Sequence, residues 1–214
     1  MSRIVLIVRE PALALAWRDT LVAAGHEVVA VSNAARSART LLAQHLPQLV
    51  LCELRLIDGT ALAMIQWLAA LPQRPLIVAV GADDNDALLL EALRCGADNL
   101  GVAPHDSAAL LATVDATLAG ETIVSTPQAH ALLDHFERAR SPRTVMASIG
   151  DEQSPLQLEP AQRELLMRLA AGYRIEQVAA ACHTTPRTLG QRLRTIVRKL
   201  QWDVRAGALT LQLA

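Results

Sequence analysis

Two spacing patterns alternate along residues 1–120. Short runs rich in β-branched residues stand at Ile4–Val8, Glu27–Val31, Leu49–Cys52, Leu76–Val80 and Leu100–Val102, and each reads as a strand. Among them, apolar residues recur at helical spacing over about 12–24, 33–45, 60–71, 84–95 and 107–119, which predicts five helices. Gly25 and Gly96 follow the first and fourth of these, where a left-handed stop is expected. The first, third and fourth runs are apolar without a break, as in strands covered on both faces. Such units predict an α/β fold with a doubly wound, five-stranded parallel sheet and right-handed crossovers.

Residues 121–137 read as a short strand or turn and then a helix, Gln128–Arg138, closing a first domain at 1–137. Residues 138–157, with Ser141-Pro142-Arg143 and Gly150 to Pro155, read as a linker. From Leu158 the pattern is all helical, giving a second, all-α domain at 158–214. Pro160 suits a helix start, and the stripe Leu165, Leu166, Leu169 and Ala170 is stopped by Gly172. A second helix is expected over Ile175–Cys182. Thr185 is a good N-cap for a third, with Pro186 at its first position and Leu200 at its end. A fourth is expected over about Val204–Leu213.

The third of these helices has two distinct sides. Leu189, Leu193, Ile196 and Leu200 form an apolar seam, and Arg187, Gln191, Arg194 and Arg198 lie opposite. Arg and Gln can pair bidentately with guanine and adenine edges, so this face suits the major groove of double-stranded DNA. Arg187, Arg192, Arg198 and Lys199 are placed for phosphates, which position a protein without reading sequence. The charge distribution agrees. Residues 158–214 carry nine Lys/Arg against four Asp/Glu, whereas residues 1–157 carry eleven against seventeen.

Other classes of function find little support. Five scattered aromatics (Trp17, Trp67, Phe136, Tyr173, Trp202) make no base-stacking platform for single strands. Cys52, Cys95 and Cys182 are odd in number and far apart, which predicts buried, reduced thiols rather than disulfides or zinc. The six histidines make no metal-ligand spacing, and no serine sits in a nucleophile elbow, so neither a metal, a cofactor nor an enzyme is expected. The apolar run Ile4–Val8 is too short for a leader or a membrane span, so a cytoplasmic protein is expected.

Residues Leu158–Trp202 resemble the helix-turn-helix of LuxR/NarL-type transcription regulators. The resemblance rests on Leu158-Glu159-Pro160, Glu164-Leu165-Leu166, Leu169-Ala170-Ala171-Gly172, Val178-Ala179, Thr188-Leu189 and Arg198-Lys199-Leu200. It implies that Gly190, Gln191 and Arg194 fall where base edges are read. It puts Thr185, Arg187, Thr188, Arg192, Arg198 and Lys199 in the same DNA-binding set. Gly190 stands where the family usually has Lys, which removes a contact and costs about 1 kcal/mol of helix propensity relative to Ala. The last helix resembles the family's dimerisation helix, which implies a homodimer on paired half-sites.

Residues 2–120 resemble response-regulator receiver domains, through Pro47–Leu54, Asp58-Gly59, Gly96-Ala97-Asp98 and Ala103-Pro104, the last at the family's cis-proline position. A phosphorylatable receiver would have an acidic pair at Arg9-Glu10, Asp at Glu53, Ser or Thr at Val80 and Lys at Ala103. Only Glu10 keeps the expected charge. Acyl-phosphate formation needs a carboxylate nucleophile, Mg²⁺ and a fixed cation. Val80 and Ala103 supply neither hydrogen bond nor charge, and the aromatic switch position holds Leu100. Arg9 is expected to pair with Glu53 or with Glu10, filling the place of metal and phosphoryl group. Asp83, Asp84 and Asp86 read as solvated helix-start charges.

The chain therefore reads as an atypical, phosphorylation-independent response regulator that binds DNA as a homodimer. An unknown protein or small-molecule effector would act on its receiver-like domain, and the helix after the fourth strand with the fifth strand would form a dimer contact. The competing reading is an interaction module whose helix-turn-helix no longer reads DNA.

Overall fold

The structure, a computed structural model, describes residues 1–102, 107–139 and 157–212. By its internal contacts the chain divides into two units, Met1–Ile123 and Val124–Ala214.

The first unit alternates strand and helix as the spacing predicts. Strands β1 (Arg3–Ile7), β2 (Glu27–Ser32), β3 (Leu49–Glu53), β6 (Leu76–Gly81) and β7 (Asn99–Val102) form one parallel sheet in the order β2-β1-β3-β6-β7. Helices α1 (Pro11–Ala23), α2 (Ala35–His45), α3 (Leu62–Ala69), α4 (Ala87–Cys95) and α5 (Ser107–Leu118) connect and follow the strands. Ile4–Ile7 and Leu49–Cys52 are wholly buried, which is why those runs carry no polar alternation. One core face joins Ile4, Leu6, Leu49, Leu51, Val78 and Val80 to Trp17 and Leu21 of α1 and Leu110 and Val114 of α5.

Sequence spacing did not reveal a two-residue antiparallel hairpin between β3 and α3. It pairs β4 (Arg55–Leu56) with β5 (Gly59–Thr60). Asp58, at its turn, accepts hydrogen bonds from the N–H groups of Ala35 (2.9 Å) and Arg36 (3.1 Å). It thereby caps α2, whose own N-cap, Ala34, has no side chain for the task. These two amides, Ala35 first, hold the Asp58 carboxyl below its ordinary value.

Gly96 stops α4 as expected, with φ at 120°. A Cβ there would stand 2.3 Å from that of Ala69, so the close approach of α3 and α4 also requires glycine. Behind it, Asp98 is buried: it pairs with Arg74 and accepts from the Ile77 N–H at 2.9 Å. Helix α2 ends differently. Leu46 is left-handed there (φ 43°), a conformation that costs a non-glycine residue about 1–2 kcal/mol.

The second unit begins earlier than expected. No strand forms at 121–125, and helix α6 runs Thr126–Ala139. It groups with the C-terminal unit rather than with the sheet, so the expected boundary at 137 moves to 123/124. Ala129, Leu132 and Phe136 are buried at three- and four-residue spacing. The Thr126 hydroxyl donates to Leu169 O (3.1 Å) and Glu137 pairs with Arg163 (2.6 Å), both on α7 (Pro160–Ala170). Most of the expected linker, residues 140–156, lies outside the described residues.

Helices α8 (Ile175–Ala181) and α9 (Pro186–Gln212) complete the unit. The break expected near 201–203 is absent. Gln201-Trp202-Asp203 offers no Pro or Gly to interrupt the hydrogen-bond ladder, so one helix runs on to Gln212. Among the described residues no helix is long and apolar enough to cross a membrane. The cysteines differ from expectation: Cys52 is buried, Cys95 half-buried and Cys182 exposed.

Candidate nucleic-acid interface and strand-end pocket

The helix-turn-helix is built by a C-terminal stop and an N-terminal start that meet. Helix α8 ends with Thr184 N–H bonded to Ala179 O (3.0 Å) and His183 N–H bonded to Ala180 O (3.3 Å). This Schellman pattern puts His183 in the left-handed region at φ 50°, where glycine is the usual choice. Two residues on, Thr185 Oγ1 accepts from the Thr188 N–H (3.2 Å) and lies 2.9 Å from Thr188 Oγ1. Thr185 is thus the expected N-cap, and both threonine hydroxyls are engaged in the cap.

The faces of α9 are as the spacing predicts. Leu189, Leu193, Ile196 and Leu200 are buried, with Val197 beside them. Arg187, Gln191, Arg192 and Arg198 are exposed and Arg194 is half-buried. Two members of the expected DNA-binding set lie elsewhere. Gly190 is buried, so it presents nothing to a groove. Lys199 turns inward: its Nζ donates to Gln157 O (3.0 Å), Glu159 Oε1 (3.2 Å) and Gln162 Oε1 (2.9 Å). Its side chain is only 17% exposed. It ties the end of the basic face to the start of α7 and is withdrawn from any phosphate.

Three of the unit's acids lie against cations on or beside α7 and α8. Glu137, Glu164 and Glu176 lie within 4.0 Å of Arg163, Arg168 and Arg174.

In the first unit, the carboxyl ends of the strands bring Arg9, Glu10, Glu53 and Val80 together, as the topology demands; Ala103 and Pro104 lie outside the described residues. Glu53 ends β3 beside Val80, and the buried valine offers no hydrogen bond. Of the two expected partners of the Arg9 guanidinium, Glu10 is the one it pairs with. Arg9 reaches Glu53 through its backbone N–H, 2.5 Å from Oε2. Its guanidinium Nε stands 4.0 Å from Glu10, with both side chains more than half exposed. A solvated pair like this contributes little. The Glu53 carboxyl lies above its ordinary value, chiefly through burial, with Glu10 adding to the shift; the Arg9 N–H and charge oppose it.

The cation that does bridge the pocket is Arg55, which the sequence did not single out. Its guanidinium donates to both oxygens of Asp86, joining β4 to the start of α4. Asp86 is not a solvated charge. It is buried, caps α4 by accepting from Leu88 N–H (3.0 Å), and also accepts from Ala82 N–H (3.4 Å). Burial pushes its carboxyl up, but the Arg55 hydrogen bond and the two amides together outweigh that, leaving it below its ordinary value. Its place immediately before the apolar run of α4 was the available signal for a cap. Nothing in the sequence marked Arg55 as its partner. Leu100, at the expected switch position, is buried in β7.

The fold and the two sites define a class: a receiver-type sheet followed by a helix-turn-helix unit. No protein-family model matches the chain. The probable transcriptional regulatory protein NarL of Mycobacterium tuberculosis is 25% identical over 183 residues, covering 85% of this chain and 79% of that protein. RcsB of Salmonella enterica serovar Typhimurium, solved bound to promoter DNA in the presence of a phosphomimetic, superposes with a TM-score of 0.55 at 15% identity. That match covers 94% of this chain and 92% of RcsB. A LuxR-family two-component response regulator from an Aurantimonas species matches with a TM-score of 0.54 at 23% identity, over 57% of this chain and 89% of its own. In its order of parts the chain is similar to these response regulators, a receiver-type sheet followed by a helical unit.

Proposed function

We propose that this chain is a transcriptional regulator that binds double-stranded DNA through α9 as a homodimer and works without aspartyl phosphorylation. The observation that carries the DNA reading is the face of exposed Arg187, Gln191 and Arg198 with half-buried Arg194, opposite a buried Leu/Ile seam. Gln191 and Arg194 are the base-reading pair, and Arg187, Arg192 and Arg198 hold phosphates. The NarL relative is described as a transcriptional regulatory protein and RcsB was solved on promoter DNA, and both support carrying this role to the chain.

Phosphorylation is the wrong chemistry for the strand-end pocket. Glu53 replaces the Asp expected there and has a carboxyl raised by burial, which disfavours the anion that a nucleophile must be. Val80 provides no hydrogen bond, and Arg9 stands where an acid would help to hold Mg²⁺. A protein or small-molecule effector then supplies the input. The two parts are separable by one set of titrations on a labelled duplex. Gln191→Ala/Arg194→Ala is expected to lose discrimination between promoter fragments, whereas adding Mg²⁺ with beryllofluoride to the parent changes nothing. Undiminished selectivity in the double variant would leave the chain an interaction module. A stoichiometric beryllofluoride response would make it a working receiver.

A further inference from the structure

We propose that the crevice between α2 and α3 is a binding site for a small, uncharged, mainly hydrocarbon molecule carrying a hydrogen-bond acceptor. The crevice opens at the amino-terminal end of the sheet, where β3 and β6 begin, away from the Glu53 pocket. Its volume of about 590 Å³ lies in the range of small-molecule sites. Leu42, Leu46, Trp67, Leu68, Leu71 and Leu76 give it an apolar wall.

The polar residues on this wall fix the ligand's charge. Arg74 is the only charged residue lining it, and Arg74 is already paired with Asp98 and bonded to Gly96 O at 3.2 Å. An ion entering would lose hydration without gaining a countercharge, so the ligand is neutral. Gln48 and Gln73 remain as orienting groups. The Gln48 carbonyl oxygen already accepts from Arg3 N–H (3.2 Å), which leaves its amide NH₂ as a donor. A carbonyl or ether oxygen on the ligand answers it.

A second, independent observation is Leu46. It is left-handed, where glycine would be unstrained, and 68% exposed, where a polar side chain would suit the solvent. Leucine meets neither demand, but it does extend the apolar wall. Strained residues cluster at functional sites, and a strained leucine on the rim of a leucine-lined cavity fits that pattern. Trp67 adds a rigid flat surface, steadied by the Arg39 guanidinium 5.4 Å from its ring centroid.

The test uses the full chain and two dyes with the same rings, so its outcome is independent of DNA binding. N-phenyl-1-naphthylamine is neutral, and 1-anilinonaphthalene-8-sulfonate adds one negative charge. The neutral dye is expected to saturate with one molecule per chain and the sulfonate to bind about tenfold or more weakly. Leu71→Arg, which puts a charge into the wall, is expected to abolish binding. Leu46→Gly is expected to weaken binding about threefold or more while raising thermal stability, since it removes wall and strain together. A purely structural leucine would give the second effect without the first. Unsaturable binding, equal affinity for the two dyes, or unchanged affinity in a folded Leu46→Gly variant overturns the proposal.

Discussion

Lys199 and Arg198 are neighbours in sequence and look equally suited to a phosphate, yet Lys199 is bonded inward and Arg198 is exposed. Each phosphate neutralised releases a counterion, so log K falls with log salt with a slope of about −0.9 per contact. On the proposed reading Arg187, Arg192 and Arg198 would provide three contacts per chain; for two copies the expected slope is about −5.4, or about a 10³-fold loss between 50 and 200 mM salt. Arg198→Ala removes one contact per chain and should bring the two-copy slope to about −3.6. Lys199→Ala should leave the slope at its parental value, because the ammonium already holds Gln157 O, Glu159 and Gln162. Its cost appears instead as about 1 kcal/mol of stability, since Glu159 is largely exposed and its share is screened. Fluorescence anisotropy of a labelled duplex across a KCl series measures the slopes, and urea unfolding measures the stability. If Lys199→Ala flattened the slope as much as Arg198→Ala did, the inward orientation of Lys199 would be wrong. A parental slope near zero would remove the phosphate reading altogether.

Three further outcomes are expected. His183→Gly should raise stability by about 0.5–1 kcal/mol in thermal or urea unfolding, as relief of the left-handed strain exceeds the added freedom of the unfolded chain; a loss would mean that the imidazole is needed in the turn. The two strand-end carboxylates should titrate with opposite signs. Asp86, held below its ordinary value, stabilises the fold above its unfolded pKa near 3.8, and that contribution disappears as the pH falls through the lower folded value. Glu53, raised above its ordinary 4.5, favours the fold below that pH and loses this as the pH rises through its folded value. Glu53→Gln should therefore stabilise at neutral pH and be neutral near pH 4 in the same unfolding assay; a variant less stable at neutral pH contradicts the raised carboxyl. A maleimide should label Cys182 quickly, Cys95 slowly and Cys52 not at all in the native chain, because burial shields the last and pushes its thiol far up. Equal labelling of Cys52 would refute its burial.

Hydrophobic spacing determined most of the architecture by itself. Continuous apolar runs can satisfy their side chains only between two helical layers, so Ile4–Ile7 and Leu49–Cys52 announced a parallel sheet, and the seam from Leu189 to Leu200 announced which side of α9 turns inward. Those patterns are periodic and local, and local periodicity survives in a sequence. The assignment of α6 to the second unit, the direction of Lys199 and the Arg55–Asp86 bridge were decided by the tertiary structure. Each depends on a partner 26 to 43 residues away (Arg163 for Glu137, Leu169 for Thr126, Gln162 for Lys199, Asp86 for Arg55). A charged side chain has many acceptors within its reach, and only the packed backbone selects one. For the same reason the sequence could place a cation at the strand ends but chose Arg9, where folding brought Arg55 onto the buried cap of α4.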